Sequence, residues 1–150
     1  MITCINLNDE VLTNFAPSLE SFSDVGMECE DRFRDGINSD ELSIIILFDA
    51  KGIPLGYCSY FFSVDADYRN LNDEYITFYV HYVYMRKQYR GNGASHLISN
   101  ALIKQGIEII KTSQKIAYYT DASLYNNRHG KSFGNRVIQE LEAIRLVKLP

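Results

Sequence analysis

The sequence has no tryptophan, no long apolar run and few cysteines. Its cysteines, Cys4, Cys29 and Cys58, lie far apart and form no Cys-x-x-Cys, which argues against a disulfide framework or a zinc site. No segment approaches the roughly 18 consecutive apolar residues of a membrane-spanning helix. The first residues lack the basic and apolar stretches of a secretory signal peptide. We therefore expect a cytoplasmic protein that does not bind a membrane.

Two common phosphate-binding motifs are also missing. The chain has no Gly-x-x-x-x-Gly-Lys-Ser/Thr, so a Walker-type nucleotide site is not supported. Gly91-x-Gly93 does not extend to Gly-x-Gly-x-x-Gly, because residue 96 is a histidine. The two glycines also come late in the chain, which disfavours a dinucleotide-binding first βαβ unit.

The composition predicts one ordinary domain over residues 1–150, since 46% of the residues are hydrophobic and 23% are charged. The net charge of -4 argues against a general DNA-binding protein. Residues 9–41 hold ten Asp/Glu against two Arg, whereas residues 86–148 hold eleven Lys/Arg against four Asp/Glu. This asymmetry fits a solvated surface, or an acidic region for a cationic substrate and a basic half for an anionic cofactor.

Hydrophobic periodicity predicts a mixed α/β fold without repeats or linkers. In the first half we predict a strand at ITCINL, a helix over residues 9–22, a helix CEDRFRDGI ended by Gly36, and a hairpin of LSIIILF with LGYCSYFFSV. In the second half we predict a strand YITFYVHYVYM, a helix from Ala94, a parallel strand KIAYYTDA, a helix RHGKSFGNRVIQELEAI and a last strand RLVKL. The predicted order is β-α-α-β-β-β-α-β-α-β.

The stretch QYRGNGA, Gln88 to Ala94, lies between a predicted strand and a predicted helix; we call it the glycine corner. A helix N-terminus leaves about four backbone N–H groups without internal partners and carries about half a positive charge. Gly91 and Gly93 allow a close approach of the main chain to an anion and a positive φ. The corner therefore predicts a phosphate site. Three nearby cations either add charge to it or are ordinary surface residues: Arg86, Lys87 and Arg90.

This corner fits the Arg/Gln-x-x-Gly-x-Gly/Ala signature of the GNAT superfamily of N-acetyltransferases, with Gln88 at the first position and Gly91 and Gly93 at the glycine positions. The longer phrase MRKQYRGNGASHLISNALI is similar to that family's strand–loop–helix block. Only this block carries a specific motif, although the predicted element order matches the family's fold along most of the chain. The resemblance implies a single GNAT-like domain with a central, mixed, mostly antiparallel sheet of about six to seven strands flanked by helices.

The resemblance also implies acetyl-CoA, or another acyl-CoA, as a co-substrate. Its pyrophosphate would bind the backbone amides of the corner, and its pantetheine arm would bond the end of the preceding strand. Asn127 would bond the same arm, unless it caps the last helix. The implied cofactor-binding residues are Val83, Tyr84, Met85, Gln88, Arg90, Gly91, Asn92, Gly93, Ala94, Ser95 and Asn127. The residues themselves indicate an anion and do not choose CoA over another diphosphate.

The catalytic groups usual in this family are missing. Many relatives carry a Glu on the central strand, where Tyr79 or a near neighbour stands here, and a Tyr on the last helix, where Gly134 stands. His81, with an ordinary pKa near 6.5, and Glu74, acting through water, are the candidate proton acceptors. Tyr125 is the candidate acid for the leaving thiolate. The non-catalytic alternatives are that His81 is only a packed or exposed strand histidine and that Tyr125 is only a loop aromatic that packs on the cofactor or the core.

These observations lead to three hypotheses. The first is an N-acetyltransferase that moves an acetyl group from acetyl-CoA to a primary amine of a small molecule or a protein. The second is a toxin-like acetyltransferase of aminoacyl-tRNA, which the acidic N-terminal region weakens and the basic C-terminal half keeps open. The third is a non-catalytic acyl-CoA-binding or interaction module. We expect no metal, because the three histidines lack ligand spacing; a homodimer stays open, since many relatives dimerise.

Overall fold

The computed structural model describes residues 1–66, 74–112, 116–121 and 128–148. The elements are β1 (Ile2–Asn6), α1 (Met27–Asn38), β2 (Ser43–Phe48), β3 (Pro54–Ala66), β4 (Glu74–Met85), α2 (Ala94–Thr112), β5 (Ile116–Asp121) and α3 (Arg128–Lys148), with a short 3-10 turn at Lys87–Tyr89. The described strands form one sheet in the order β1-β2-β3-β4-β5.

The strand pairing follows from the sequence of the strands. β2 is a continuous apolar run, SIIILF, and it lies between two neighbours, parallel to β1 and antiparallel to β3. β2 and β3 form the predicted hairpin, whose turn has Gly52 at a φ of 80° and Asp49 accepting hydrogen bonds from the amides of Lys51 and Ile53. β5 follows α2 and pairs in parallel with β4, as predicted.

The mixed α/β class is confirmed, but the expected sheet is wrong. The described residues form five strands rather than six to seven, and two of the pairings are parallel, so the sheet is mixed and not mostly antiparallel. The order of the described elements is β-α-β-β-β-α-β-α.

Two predicted elements account for the difference. Residues 9–22 form turns and irregular segments instead of a helix, with an isolated bridge from Val11 to Ile5. Asp9 and Asn14 adopt φ values of 60° and 59°, whereas a helix needs about -63°. The stretch RLVKL does not form a strand, since residues 145–148 continue α3 to its end at Lys148. Gly36 does not end α1 but lies inside it, where a Cβ would come within 3.1 Å of the Ser59 Cβ.

The chain divides into two compact units. The first unit comprises Met1–Phe61 and His81–Ile98, and the second comprises Phe62–Val80 and Ser99–Pro150. In the first unit, α1 covers β2 and β3, with the Tyr57 hydroxyl donating to the carbonyl oxygen of Cys29 at 2.7 Å. The buried core cluster of this unit consists of Cys4, Phe22, Cys29, Phe33, Ile44, Ile46, Phe48 and Tyr57.

In the second unit, the two long helices contact each other. Gly106 of α2 lies against the side chain of Leu141 of α3. The Arg136 guanidinium of α3 donates to Ser99 Oγ and, at 2.9 Å, to Asn100 Oδ1. No described helix is long and apolar enough to cross a membrane.

Gly56 brings β3 close to the end of β4, and its replacement tests this part of the fold. A Cβ at Gly56 would lie 2.5 Å from the carbonyl oxygen of Tyr84, a backbone atom that cannot rotate away. We expect Gly56→Ala to lower the free energy of unfolding by about 3 kcal/mol in urea titrations. Gly106→Ala is the comparison: its Cβ would lie 2.6 Å from a methyl carbon of the buried Leu141, a side-chain atom that can shift where a backbone oxygen cannot, and alanine regains about 1 kcal/mol of helix propensity. Equal losses for the two variants would contradict this prediction.

Candidate functional site

The glycine corner joins the end of β4 to the start of α2 within the first unit. Gly91 and Gly93 have φ values of 80° and 85°, in the left-handed region that favours glycine. A Cβ built on either residue meets no described atom within 4 Å. The backbone conformation therefore favours glycine at both positions, and no described protein atom fills the space where a side chain would lie.

Backbone amides at the corner are only partly used. The amide of Ala94 donates to Asn92 Oδ1 at 3.3 Å, and the amide of His96 donates to the carbonyl oxygen of Gly93 at 3.0 Å. The exposed amides of Gly91 and Gly93 donate to no described residue. Because these N–H groups stand at the N-terminus of a 19-residue helix, they are suited to an anionic ligand.

Arg86 serves the fold and is not available to a phosphate. Its guanidinium donates to both carboxylate oxygens of Asp24, at 2.8 and 3.1 Å, and to the carbonyl oxygens of Ser21 and Pro54. It also lies 5.3 Å from the ring centroid of Phe22. Arg86 thus ties residues 21–24 to the start of β3 and the end of β4.

Replacing Arg86 by Met should lower the free energy of unfolding by about 2–3 kcal/mol, because two carbonyl groups lose their donor. Asp24→Asn should cost less than about 1 kcal/mol, since 67% of that side chain is exposed. Arg86 holds the pKa of Asp24 below its usual value, so this contribution is present above the usual Asp pKa and is lost as the pH falls through the lowered one. Urea titrations in which Arg86→Met matches the parent protein would overturn this role.

Two of the predicted cations remain at the corner: Lys87, which is exposed, and Arg90. The Nε of Arg90 donates to the carbonyl oxygen of Met85 at 2.7 Å, and its Cζ lies 5.5 Å from the ring centroid of Tyr84. These contacts hold the guanidinium in place, while its terminal nitrogens pair with no described carboxylate. The carbonyl oxygen of Met85 thus already accepts one hydrogen bond from the corner and keeps a second lone pair for a ligand.

The end of β4 keeps one partner strand. The amide of Arg86 donates to the carbonyl oxygen of Leu55 of β3 at 2.9 Å. On the other edge, the register with β5 covers only Glu74 to Phe78. No described strand pairs with this edge between Val83 and Met85, so backbone groups of that edge can bond an extended ligand.

His81, the candidate catalytic histidine, contacts a buried serine. Its Nδ1 lies 3.0 Å from Oγ of Ser59, which is fully buried. Burial lowers the pKa of His81; Arg32 adds to this effect and Asp35 opposes it. At neutral pH the imidazole is therefore neutral.

The strand is irregular at this histidine. Tyr82 stacks on Tyr57, with ring centroids 5.9 Å apart, and Tyr57 and Ser59 are alternate residues on one side of β3. Consecutive residues of a regular strand point to opposite sides, yet both His81 and Tyr82 reach this one. The alternation is broken at His81, as in a β-bulge, which turns the imidazole toward the side covered by α1.

An open groove of about 850 Å³ follows α1. Its described lining residues are Met27, Glu28, Asp31, Arg32, Arg34 and Asp35, two of which act on the pKa of His81. Arg34 is neutralised by Glu20 and Glu30, each at 2.8 Å. Glu28 and Asp31 form no ion pair with a described residue. Negative charge therefore predominates in the groove, which suits a cationic group.

The other predicted catalytic residues do not join this arrangement. Glu74 is the first residue of β4, whereas the glycine corner follows the last, and Glu74 belongs to the second unit. Tyr125 and Asn127 lie outside the described residues. Ser59 was missed by the sequence analysis; its only signal is a small polar residue inside the apolar run of β3.

No family model and no curated protein matches the chain. Two solved structures with a similar fold are a mutant and a tetramutant of the BH1408 protein from Bacillus halodurans. Each is 16% identical to this chain, with a TM-score of 0.52, and the match covers 79% of this chain and 75% or 76% of theirs. At this identity the likeness shows the fold alone.

Proposed function

We propose that the protein is an N-acetyltransferase, which moves the acetyl group of acetyl-CoA to a primary amine of a small molecule or a protein. The observation that carries this proposal is the glycine corner. Two left-handed glycines with open space beside them bring amides that donate to no described residue to the N-terminus of α2. The resemblance to the GNAT signature assigns the anion at this position to the pyrophosphate of CoA.

The residues present fit acetyl-CoA. The amides of Gly91 and Gly93 would donate to the pyrophosphate, and the guanidinium of Arg90 would neutralise part of its charge. The exposed side chains of Gln88, Asn92 and Ser95 lie along the same corner. The edge from Val83 to Met85, with which no described strand pairs, would bond the pantetheine arm through the main chain. The thioester would then lie along β4, the strand that carries His81.

The transfer itself needs few protein groups. The nitrogen of the neutral amine attacks the thioester carbon, a C–N bond forms and the C–S bond breaks. The amine loses a proton and the departing thiolate gains one. The groove along α1 would bind the positively charged amine through Glu28 and Asp31, and the neutral imidazole of His81 would contact the reacting groups.

Thiol release from acetyl-CoA in the presence of amine pools tests this function. The pools are polyamines, aminoglycosides, amino acids and lysine peptides, with aminoacyl-tRNA at two salt concentrations as a separate arm. Release that depends on an amine from the first four pools supports the proposal. Release with aminoacyl-tRNA alone would indicate the toxin-like activity, and acetyl-CoA binding without any release would indicate a binding module.

A further inference from the structure

We propose that Ser59 is a positioning residue, whose hydroxyl donates to Nδ1 of His81 and so fixes the imidazole as the Nε2–H tautomer. His81 then works as a hydrogen-bond donor and not as the proton acceptor that the sequence suggests. The tautomer is a property of the first unit alone, while the use of the donor rests on the proposed N-acetyltransferase function.

The direction of the hydrogen bond follows from distances and burial. The Ser59 hydroxyl has one hydrogen and two described acceptors, Nδ1 of His81 at 3.0 Å and the carbonyl oxygen of Tyr82 at 3.5 Å. A hydroxyl hydrogen bond to oxygen normally spans about 2.5–3.0 Å, so the second contact is too long to compete. Because Ser59 is fully buried, its hydrogen cannot turn to water instead. The hydroxyl therefore points to Nδ1.

This contact decides which nitrogen of the ring bears the hydrogen. A neutral imidazole has one donor and one acceptor nitrogen, so an accepting Nδ1 leaves the hydrogen on Nε2. Nδ1 faces the buried serine, and the half-exposed ring presents Nε2 on its other side. The charged groups that act on the ring are Arg32, which disfavours the imidazolium, and Asp35, which favours it. Burial and Arg32 together outweigh Asp35 and lower the pKa of His81, so the imidazole is uncharged when the substrate binds.

A neutral N–H donor has a clear use in acetyl transfer. As the amine adds to the thioester, negative charge develops on the carbonyl oxygen, and one fixed donor to such an oxygen contributes roughly 100- to 1000-fold in rate. His81 keeps its Nε2 hydrogen throughout. The bound ammonium first loses one proton to solvent water and becomes the neutral nucleophile, and the adduct then loses a second proton to solvent. The released thiolate takes one proton from solvent, so the reaction releases one proton in total and balances without a protein base.

The test is an NMR titration of the ring nitrogens of His81 in the intact protein, without any substrate. The parent protein should show the Nε2–H tautomer above the pKa of His81. Ser59→Ala should raise that pKa, because the variant loses a hydrogen bond that stabilises the neutral ring. Ser59→Cys keeps a weaker hydrogen-bond donor, so its His81 pKa should lie between those of the parent protein and Ser59→Ala. The Nδ1–H tautomer in the parent protein, or a pKa that stays or falls in Ser59→Ala, would overturn the inference.

Cys58→Ala is the matched control, because it removes a buried sulfur from the adjacent residue on the other side of β3. It should leave the pKa and the tautomer of His81 unchanged. A pKa change as large as that of Ser59→Ala would mean that the packing of β3, and not the hydroxyl of Ser59, determines the tautomer. With an amine that supports turnover, Ser59→Ala should lower kcat about tenfold and leave the KM for acetyl-CoA unchanged. An unchanged kcat would refute the positioning role and leave the function standing. The expected NMR result without turnover on any amine would refute the function and leave the tautomer standing.

Discussion

Gly93→Val should weaken the binding of acetyl-CoA by about 100-fold, because it removes two charge-assisted hydrogen bonds worth roughly 1.5 kcal/mol each. The φ of 85° at Gly93 is strained for a β-branched residue, so the backbone would move and its amides would lose their alignment. The new side chain would also fill the open space beside the corner. Gly91→Val, at a φ of 80°, should behave alike. Calorimetric titration of acetyl-CoA into each variant measures the effect.

The chain offers a control with the same strain at a different place. Gly52, in the turn between β2 and β3, also has a φ of 80° and no described atom within 4 Å of a built Cβ. Gly52→Val should therefore lose a similar free energy of unfolding, while it keeps the affinity of the parent protein for acetyl-CoA. If all three variants bind acetyl-CoA equally well, the glycine corner is not the site.

His81→Leu should lower kcat about 100-fold and leave the Kd for acetyl-CoA within about twofold, since one donor to the carbonyl oxygen is lost and the corner is intact. His81→Gln is the graded control, because its amide retains N–H donors; it should keep more activity than the leucine variant. Steady-state kinetics with a responsive amine, together with calorimetry, separate kcat from affinity. A leucine variant as active as the parent protein would remove His81 from the mechanism.

The pH dependence of stability follows from the same residue. Burial lowers the pKa of His81 in the folded protein, so the folded state favours the neutral ring. This contribution is fully present above the usual histidine pKa and is lost as the pH falls through the lowered one. The parent protein should lose more stability between pH 7 and pH 5 than His81→Leu does. Urea titrations at both pH values compare them, and equal losses would show that His81 does not contribute.

Local pattern predicted the central strands and the corner, because there the local preference and the tertiary structure agree. The run SIIILF is buried, the alternating aromatic residues form β4, and the helix after Gly93 begins at Ala94. The left-handed backbone at Gly91 and Gly93 also follows from the residue type.

The predicted helix over residues 9–22 is wrong because a side-chain contact outweighs the helical spacing of its apolar residues. Phe22 is buried, as one face of a helix would require, but Val11 and Phe15 are 63% and 41% exposed. Asn6 Oδ1 accepts hydrogen bonds from the amides of Asn8 and Glu10 and closes a turn there, which the apolar spacing does not show. At the end of α3, residues 145–148 are mainly Arg, Leu and Lys, which favour a helix, so the helix continues.

The composition of the site was the least predictable part. Arg86 was a candidate for the phosphate, yet its partner Asp24 lies 62 residues earlier in the chain. Ser59 and His81 are 22 residues apart and meet only because β3 and β4 are neighbours with a broken alternation at His81. No local spacing encodes such a contact, since it depends on the strand register.

Calorimetric titration of acetyl-CoA into the parent protein tests the central claim most directly, with free CoA and ATP as controls. We predict one site of micromolar affinity for acetyl-CoA, competition by free CoA, and binding of ATP that is at least tenfold weaker. Acetyl-CoA that binds no better than ATP, or not at all, would contradict the account and would make QYRGNGA an ordinary turn between a strand and a helix.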